Sequence, residues 1–209
     1  MESLNVINTI AQVFAAIGTV AVAILAIWGG KVQTAIAGPK LKLRLQGTRG
    51  DLATRANRKK SIYYYVELTN ERQWSPAKGV RILINGISKK RVDGTYSPEP
   101  LAFPLQFIWA PAEFHDLLPT VVTEDVCALG FLDEGAQRFE LSLYARPNNF
   151  RGYIEQEGSM RVSIIASAQN YESRTPLELE ISWDGQWTDN LDEMQRHLII
   201  KEVSNRRIE

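Results

Sequence analysis

His115 in "EFHDL" and His197 in "QRHLI" are the two histidines of the chain, and Cys127 in "EDVCALGFL" is its one cysteine. A zinc site needs His or Cys ligands at short spacing, and neither histidine has such a companion, so no metal is expected. His115 beside Asp116 has the types of a general base steered by a carboxylate. Adjacent residues on a strand point to opposite faces, however, and a surface histidine is the plainer reading. Cys127 sits in an apolar run and reads as a small buried thiol; alone, it forms no intramolecular disulfide and gives no sign of an oxidising compartment. There is no G-x-S-x-G elbow, P-loop or G-x-G-x-x-G. The acidic pairs Asp133/Glu134 and Glu155/Glu157 fall in apparent loops, where carboxylates are normally hydrated. Nothing marks two carboxylates held in divergent environments for acid–base work. The expectation is a non-enzymatic protein with no catalytic residue, cofactor or metal; a hydrolase built on His115 is the remaining enzymatic alternative.

Binding chemistry is better represented. Eight basic residues and a single acid, Asp51, lie between Lys40 and Lys60. Arg49, Arg55, Arg58, Lys59 and Lys60 would crowd the loop joining the first two strands. Anionic lipid attracts each nearby Lys or Arg by about 1 kcal/mol. Nucleic acid rewards the same charge through counterion release, though Tyr63, Tyr64 and Tyr65 would divide between two strand faces. Lipid or partner contact is the leading reading, a plain solvated loop comes second, and nucleic acid is disfavoured. The turn "SKKRVDG" adds further charge nearby, whereas "RGD" at 49–51 is too short a signal to carry adhesion. The net charge of zero hides a split: residues 1–112 hold 15 Lys and Arg against 6 Asp and Glu, and residues 113–209 hold 9 against 18. Such asymmetry points to a surface read electrostatically.

The apolar segment sets where these residues act. Val6 to Trp28 runs 23 residues without an ionisable group, and a spanning helix needs roughly 20 for a hydrocarbon core of about 30 Å. A cleaved signal competes, since Ala35 and Ala37 form an A-x-A pattern; residues 1–37 would then be lost. Against that, "MESLNV" lacks Lys and Arg and the apolar run exceeds an h-region. A core helix is the third possibility. With an anchor, the basic residues after the helix place the C-terminal domain in the cytoplasm and the N-terminus outside. The expected site is an inner membrane crossed once. Asn8, Ala11, Gln12, Ala15, Thr19 and Ala23 fall on or beside one helical line. Small residues let two backbones approach, and interhelical polar bonds add roughly 0.6–2 kcal/mol each. Homo-oligomerisation, or pairing with another membrane protein, follows; the plain alternative is that Asn8 and Gln12 are wet at the interface.

Gly29, Gly30 and "AGP" at 37–39 make 29–39 a linker after an anchor at 1–28. Beyond it, β-type runs recur between turn signals: 40–47, 61–70, 79–87, 101–110, 125–133, 138–145, 159–169 and 177–185. Leu41, Leu43 and Leu45 alternate with Lys40, Lys42 and Arg44, the pattern of an antiparallel strand with one face wet. Eight short strands suggest a mainly β domain over 40–203, an immunoglobulin-like antiparallel β-sandwich. Asn190 and Glu193 form a capping-box pattern ahead of Leu191, Met194 and Leu198, so 188–203 should hold a short helix, docked on the sheets or offered to a partner. Residues 204–209 make a tail. Trp74, Trp109, Trp183 and Trp187 read as core or edge packing.

Two stretches, "VELTNERQWSPAKGVRILI" and "SAQNYESRTPLELEISWDGQWTDNLDEM", resemble a group of small prokaryotic proteins with one N-terminal membrane helix and an immunoglobulin-like sandwich. In that resemblance Asn70, Pro76 and Ala77 belong to a strand–turn–strand unit, and Asp184, Gly185 and Trp187 end the last strand. Proteins of this build are similar to membrane effectors of bacterial and archaeal immune systems. The resemblance implies a membrane-bound effector in antiviral defence and transfers no functional residue. A periplasmic ligand-binding domain is the alternative.

Overall fold

The computed structural model describes residues 12–24, 26, 37–56, 58–135, 137–169, 171–173 and 175–203. The chain divides into two units, Met1–Gly38 and Pro39–Glu209. In the first, residues 12–24 form helix α1. Thirteen residues rise about 20 Å, and among the described residues no helix is long and apolar enough to cross a membrane. Residues 6–11, 25, 27 and 28 of the expected span lie outside the described residues.

The second unit is mainly β, with two antiparallel sheets. The first sheet runs β1 (Leu41–Leu45), β3 (Lys60–Asn70), β8 (Glu124–Asp133), β9 (Arg138–Leu141) and β10 (Tyr153–Glu155), with β2 (Asp51–Thr54) on β3 and β7 (Ile108–Trp109) on β8. The second runs β14 (Leu198–Glu202), β13 (Leu177–Trp183), β11 (Gly158–Ala168), β4 (Arg81–Lys90) and β5 (Tyr96–Glu99), with β12 (Tyr171–Glu172) on β11 and β6 (Leu105–Gln106) on β4. One hydrophobic cluster takes residues from both: Ile62, Tyr64, Val66 and Leu68 from β3, and Met160, Val162, Leu179 and Ile181 from β11 and β13. Strand alternation explains the choice. On β13, Leu179, Ile181 and Trp183 are buried while Glu178, Glu180 and Ser182 are only partly covered.

Two bulges adjust this alternation. Ser163 pairs with Gly86 but Ile164 pairs with Ile84, so Asn85 is extra. Ile84 and Ile87, three apart and on opposite faces of an ideal strand, are thereby both buried. On β8, Tyr64 pairs with Gly130 and Tyr65 with Ala128, which leaves Leu129 extra and lets Leu129 and Leu132 both face inward.

Several expectations are corrected. The run 101–110 is not one strand: Leu105–Gln106 pairs with β4 of the second sheet and Ile108–Trp109 with β8 of the first. Phe107, between them, is buried and bridges Leu143. The expected helix 188–203 covers only α2 (Leu191–His197), after which the chain becomes edge strand β14. Ile199 and Ile200 favour strand over helix, and β13 offers an edge to pair with. Asp184, Gly185 and Trp187 therefore follow the next-to-last strand, not the last. Asn190 caps α2 as expected, accepting from the N–H groups of Asp192 and Glu193. The reciprocal half of the capping box is replaced: the Asn190 N–H donates to Thr188 Oγ1. Met194 and Leu198 are fully buried, so α2 docks on the sheets. Trp109 and Trp183 are core residues and Trp187 packs against the core, but Trp74 is 68% exposed, with the Arg72 guanidinium 5.9 Å from its ring centre.

Candidate functional site

Helix α1 carries no charge, and each of its described residues is exposed. Val13, Phe14, Ile17, Val20, Val22 and Ile24 are the large apolar side chains among them. Gln12, Ala15, Thr19 and Ala23 are spaced at 3, 4 and 4, which keeps them on one face of the helix. Asn8 and Ala11 of the expected association face lie outside the described residues. Thr19 Oγ1 donates to the Ala15 carbonyl at 2.8 Å. Its proton is spent inside the helix, so Thr19 serves a helix interface as a small residue, with only its oxygen left to accept.

The basic loop is less open than its composition suggests. Its middle forms strand β2, paired in register from Asp51↔Tyr63 to Thr54↔Lys60. Arg49 meets Asp192 at 3.1 Å, Arg55 meets Asp133 at 2.9 Å and Lys60 meets Asp189 at 2.5 Å. The Asp189 carboxylate raises the Lys60 ammonium and is itself lowered by it, as expected of a charge-assisted hydrogen bond. Arg55 also stacks on Phe131, 4.6 Å from the ring centre. Arg58 is exposed with φ +64°, and Lys59 is exposed beside it. Three of the five expected contact residues thus have carboxylate partners from distant parts of the chain. What they offer to lipid is correspondingly reduced.

Sheet pairing assembles a row that sequence spacing hides. Tyr63, Phe131, Glu140 and Tyr153 stand side by side across β3, β8, β9 and β10. Arg146 and Arg138 both bond the Glu140 carboxylate. Burial works against ionising Glu140, but these two guanidinium groups outweigh it and hold the carboxyl below its ordinary value. Lys89 Nζ and the Arg138 guanidinium lie 4.7 Å and 5.3 Å from the centre of Tyr153. Rings and cations here satisfy one another, which makes the row a cross-strand ladder with little unsatisfied chemistry.

Both histidines have carboxylate partners that the local sequence does not show. His115 Nε2 lies 3.2 Å from Asp125 Oδ1, not beside Asp116. Cys127 belongs to the same strand as Asp125, but burial, aided by the Asp125 charge, drives its thiol far above the ordinary range. A thiol held in that state is not a nucleophile. His197 Nδ1 lies 2.8 Å from Asp184 Oδ2, across the β13–β14 edge. Among the described residues, no group of three or more His, Cys, Asp or Glu converges as a metal site. No protein-family model matches the chain, and no curated protein matches it.

Proposed function

We propose that the chain is a non-enzymatic, membrane-anchored binding protein whose β-rich domain, an immunoglobulin-like sandwich, engages a partner while its apolar helix associates with other copies. The observation that carries this reading is α1: an uncharged helix whose described residues are all exposed, at the centre of a 23-residue stretch without an ionisable group. Exposed apolar surface of that extent is unfavourable in water and marks a lipid or protein interface. The small residues Ala15 and Ala23 suit close approach of a second helix. The shared hydrophobic cluster of the two sheets supports the sandwich reading. A single pass through an inner membrane, N-terminus outside, follows from the basic residues after the helix. The narrower form is an effector of prokaryotic antiviral defence that disrupts its own membrane on clustering, resting on the resemblance of the two quoted stretches.

An impermeant maleimide tests the reading in intact cells, with single cysteines placed at Glu2 or Ser204 in a Cys127→Ala background. Labelling at position 2 and not at 204 is expected. Labelling at 204, with residue 2 absent from the mature chain, would make the protein an exported domain with residues 1–37 removed.

A further inference from the structure

Many cations of the β-rich unit are neutralised where they stand. Lys40, Arg49, Arg55, Lys60 and Arg161 each have a carboxylate oxygen at 2.5–3.1 Å. Among the described residues, Arg91 just after β4 and Arg196 near the end of α2 form no ion pair, and Lys90 at the end of β4 acts on Glu180 only at a distance, that carboxylate being paired with Arg161. These three line one cleft of about 540 Å³ over the second sheet.

The cleft contains further donors. Ser159 and Ser182 are register partners on β11 and β13, and their hydroxyl oxygens are 2.7 Å apart. Only one proton lies between the two oxygens, so the other hydroxyl proton is free for a ligand. His197 lines the same cleft and is oriented by Asp184. Arg91 donates one nitrogen to Ser97 Oγ at 2.7 Å and keeps the rest of its fork. Two carboxylates reach the cleft: Asp184 is engaged by His197, and Glu157 is the other. Positive charge is in excess, and its bearers come from the β4 end, the α2 end and the β13–β14 edge.

We propose that this cleft binds a phosphoryl group carried by a small molecule. Two guanidinium forks and an ammonium suit a multiply charged oxyanion. The serine pair supplies a neutral donor, and the volume falls within the roughly 300–1,000 Å³ of ligand pockets, larger than a bare ion needs. The reading is one of binding, with no bond made or broken, and it stands apart from the membrane reading. The phosphoryl group can arrive on a soluble molecule or on a lipid headgroup.

The full-length chain in detergent is titrated calorimetrically with inorganic pyrophosphate, and separately floated with phosphatidylcholine vesicles doped with phosphatidic acid. Lys90→Gln and Arg196→Gln should each weaken the productive probe about tenfold, while Lys78→Gln, an exposed lysine outside the cleft, should leave it unchanged. Neither cleft cation holds a carboxylate at ion-pair distance, and Glu180 keeps its close partner Arg161, so both variants should keep the parent's circular dichroism and melting profile. Cleft-dependent pyrophosphate binding establishes a soluble phosphoryl ligand; cleft-dependent binding of the doped vesicles alone establishes a lipid phosphate. Binding of neither probe, or binding that Lys78→Gln weakens as much as the cleft variants do, overturns the proposal.

Discussion

Asn70 Oδ1 lies 3.2 Å from the backbone nitrogen of Lys40, so the last residue of β3 holds the point at which the chain enters β1. The same oxygen accepts from the Arg72 N–H, and Nδ2 donates to the carbonyls of Ser75 and Val121. The side chain thus ties together the chain entry, the turn after β3 and the segment before β8.

Removing that side chain should be costly. Asn70 is 1% exposed, and Asn70→Ala leaves several backbone groups to find new partners. A loss of about 2–3 kcal/mol is expected in urea denaturation. A loss below about 0.5 kcal/mol, the scale of an ordinary surface substitution, would mean that water takes over these bonds.

Gly185 supplies a second test of stability. It has φ +85°, and an added Cβ would lie 2.1 Å from the Gln156 carbonyl oxygen. Backbone cannot yield as a flexible side chain does. Gly94 has φ +83° with nothing within 4 Å of its Cβ position. Gly94→Ala should cost about 1 kcal/mol from left-handed strain alone. Gly185→Ala should cost at least twice as much in the same denaturation experiment; equal costs would show that the Gln156 turn moves freely.

Acid should act through Asp184. Burial raises its carboxyl, but the hydrogen bond from His197, with help from the Gln186 N–H, outweighs burial and leaves it lowered. A lowered folded-state value contributes stability above the unfolded value near about 3.9, and that contribution is lost as pH falls through the folded one. The side chain is 42% exposed, so screening keeps the effect below about 1 kcal/mol. Asp184→Asn should therefore lower the urea midpoint near neutral pH, and the deficit should shrink as pH falls below the ordinary carboxylate range. A deficit of equal size at neutral and acid pH would assign the effect to packing.

Helix α1 separates size from polarity. Because the Thr19 proton is bonded to Ala15 within its own helix, Thr19→Ala should leave self-association in micelles, read by energy transfer, unchanged. Ala15→Leu and Ala23→Leu should each weaken it, and Asn8→Leu combined with Gln12→Leu should abolish it, each polar contact being worth roughly 0.6–2 kcal/mol. Unchanged association in all of these would remove the helix face from the interface.

Much of the β-rich unit is legible in its chain. Alternation marks β1, β3, β11 and β13, because a strand with one wet face repeats every two residues. Asn190 announces α2, because a cap depends on its immediate neighbours. Misreadings occur where partners far along the chain intervene. A continuous apolar run cannot show that Leu105–Gln106 and Ile108–Trp109 join different sheets. The isoleucines of 199–200 stop a helix only because β13 presents an edge at that place. Of the expected contact residues, Arg58 and Lys59 are exposed, and Arg49, Arg55 and Lys60 meet aspartates 78 to 143 residues further on.

The sequence by itself determined that the chain has a long uncharged apolar stretch, a mainly β remainder and no recognisable catalytic motif, since composition and periodicity are local properties. Only the tertiary structure decided which face each bulge turns inward, which acids neutralise which cations, and that Lys90, Arg91 and Arg196 line one cleft with Ser159 and Ser182. Those relationships arise from strand pairing. One extra residue at Asn85 or Leu129 reverses the face of everything beyond it, and a charge's partner is set by the neighbouring strand, not by the neighbouring residue.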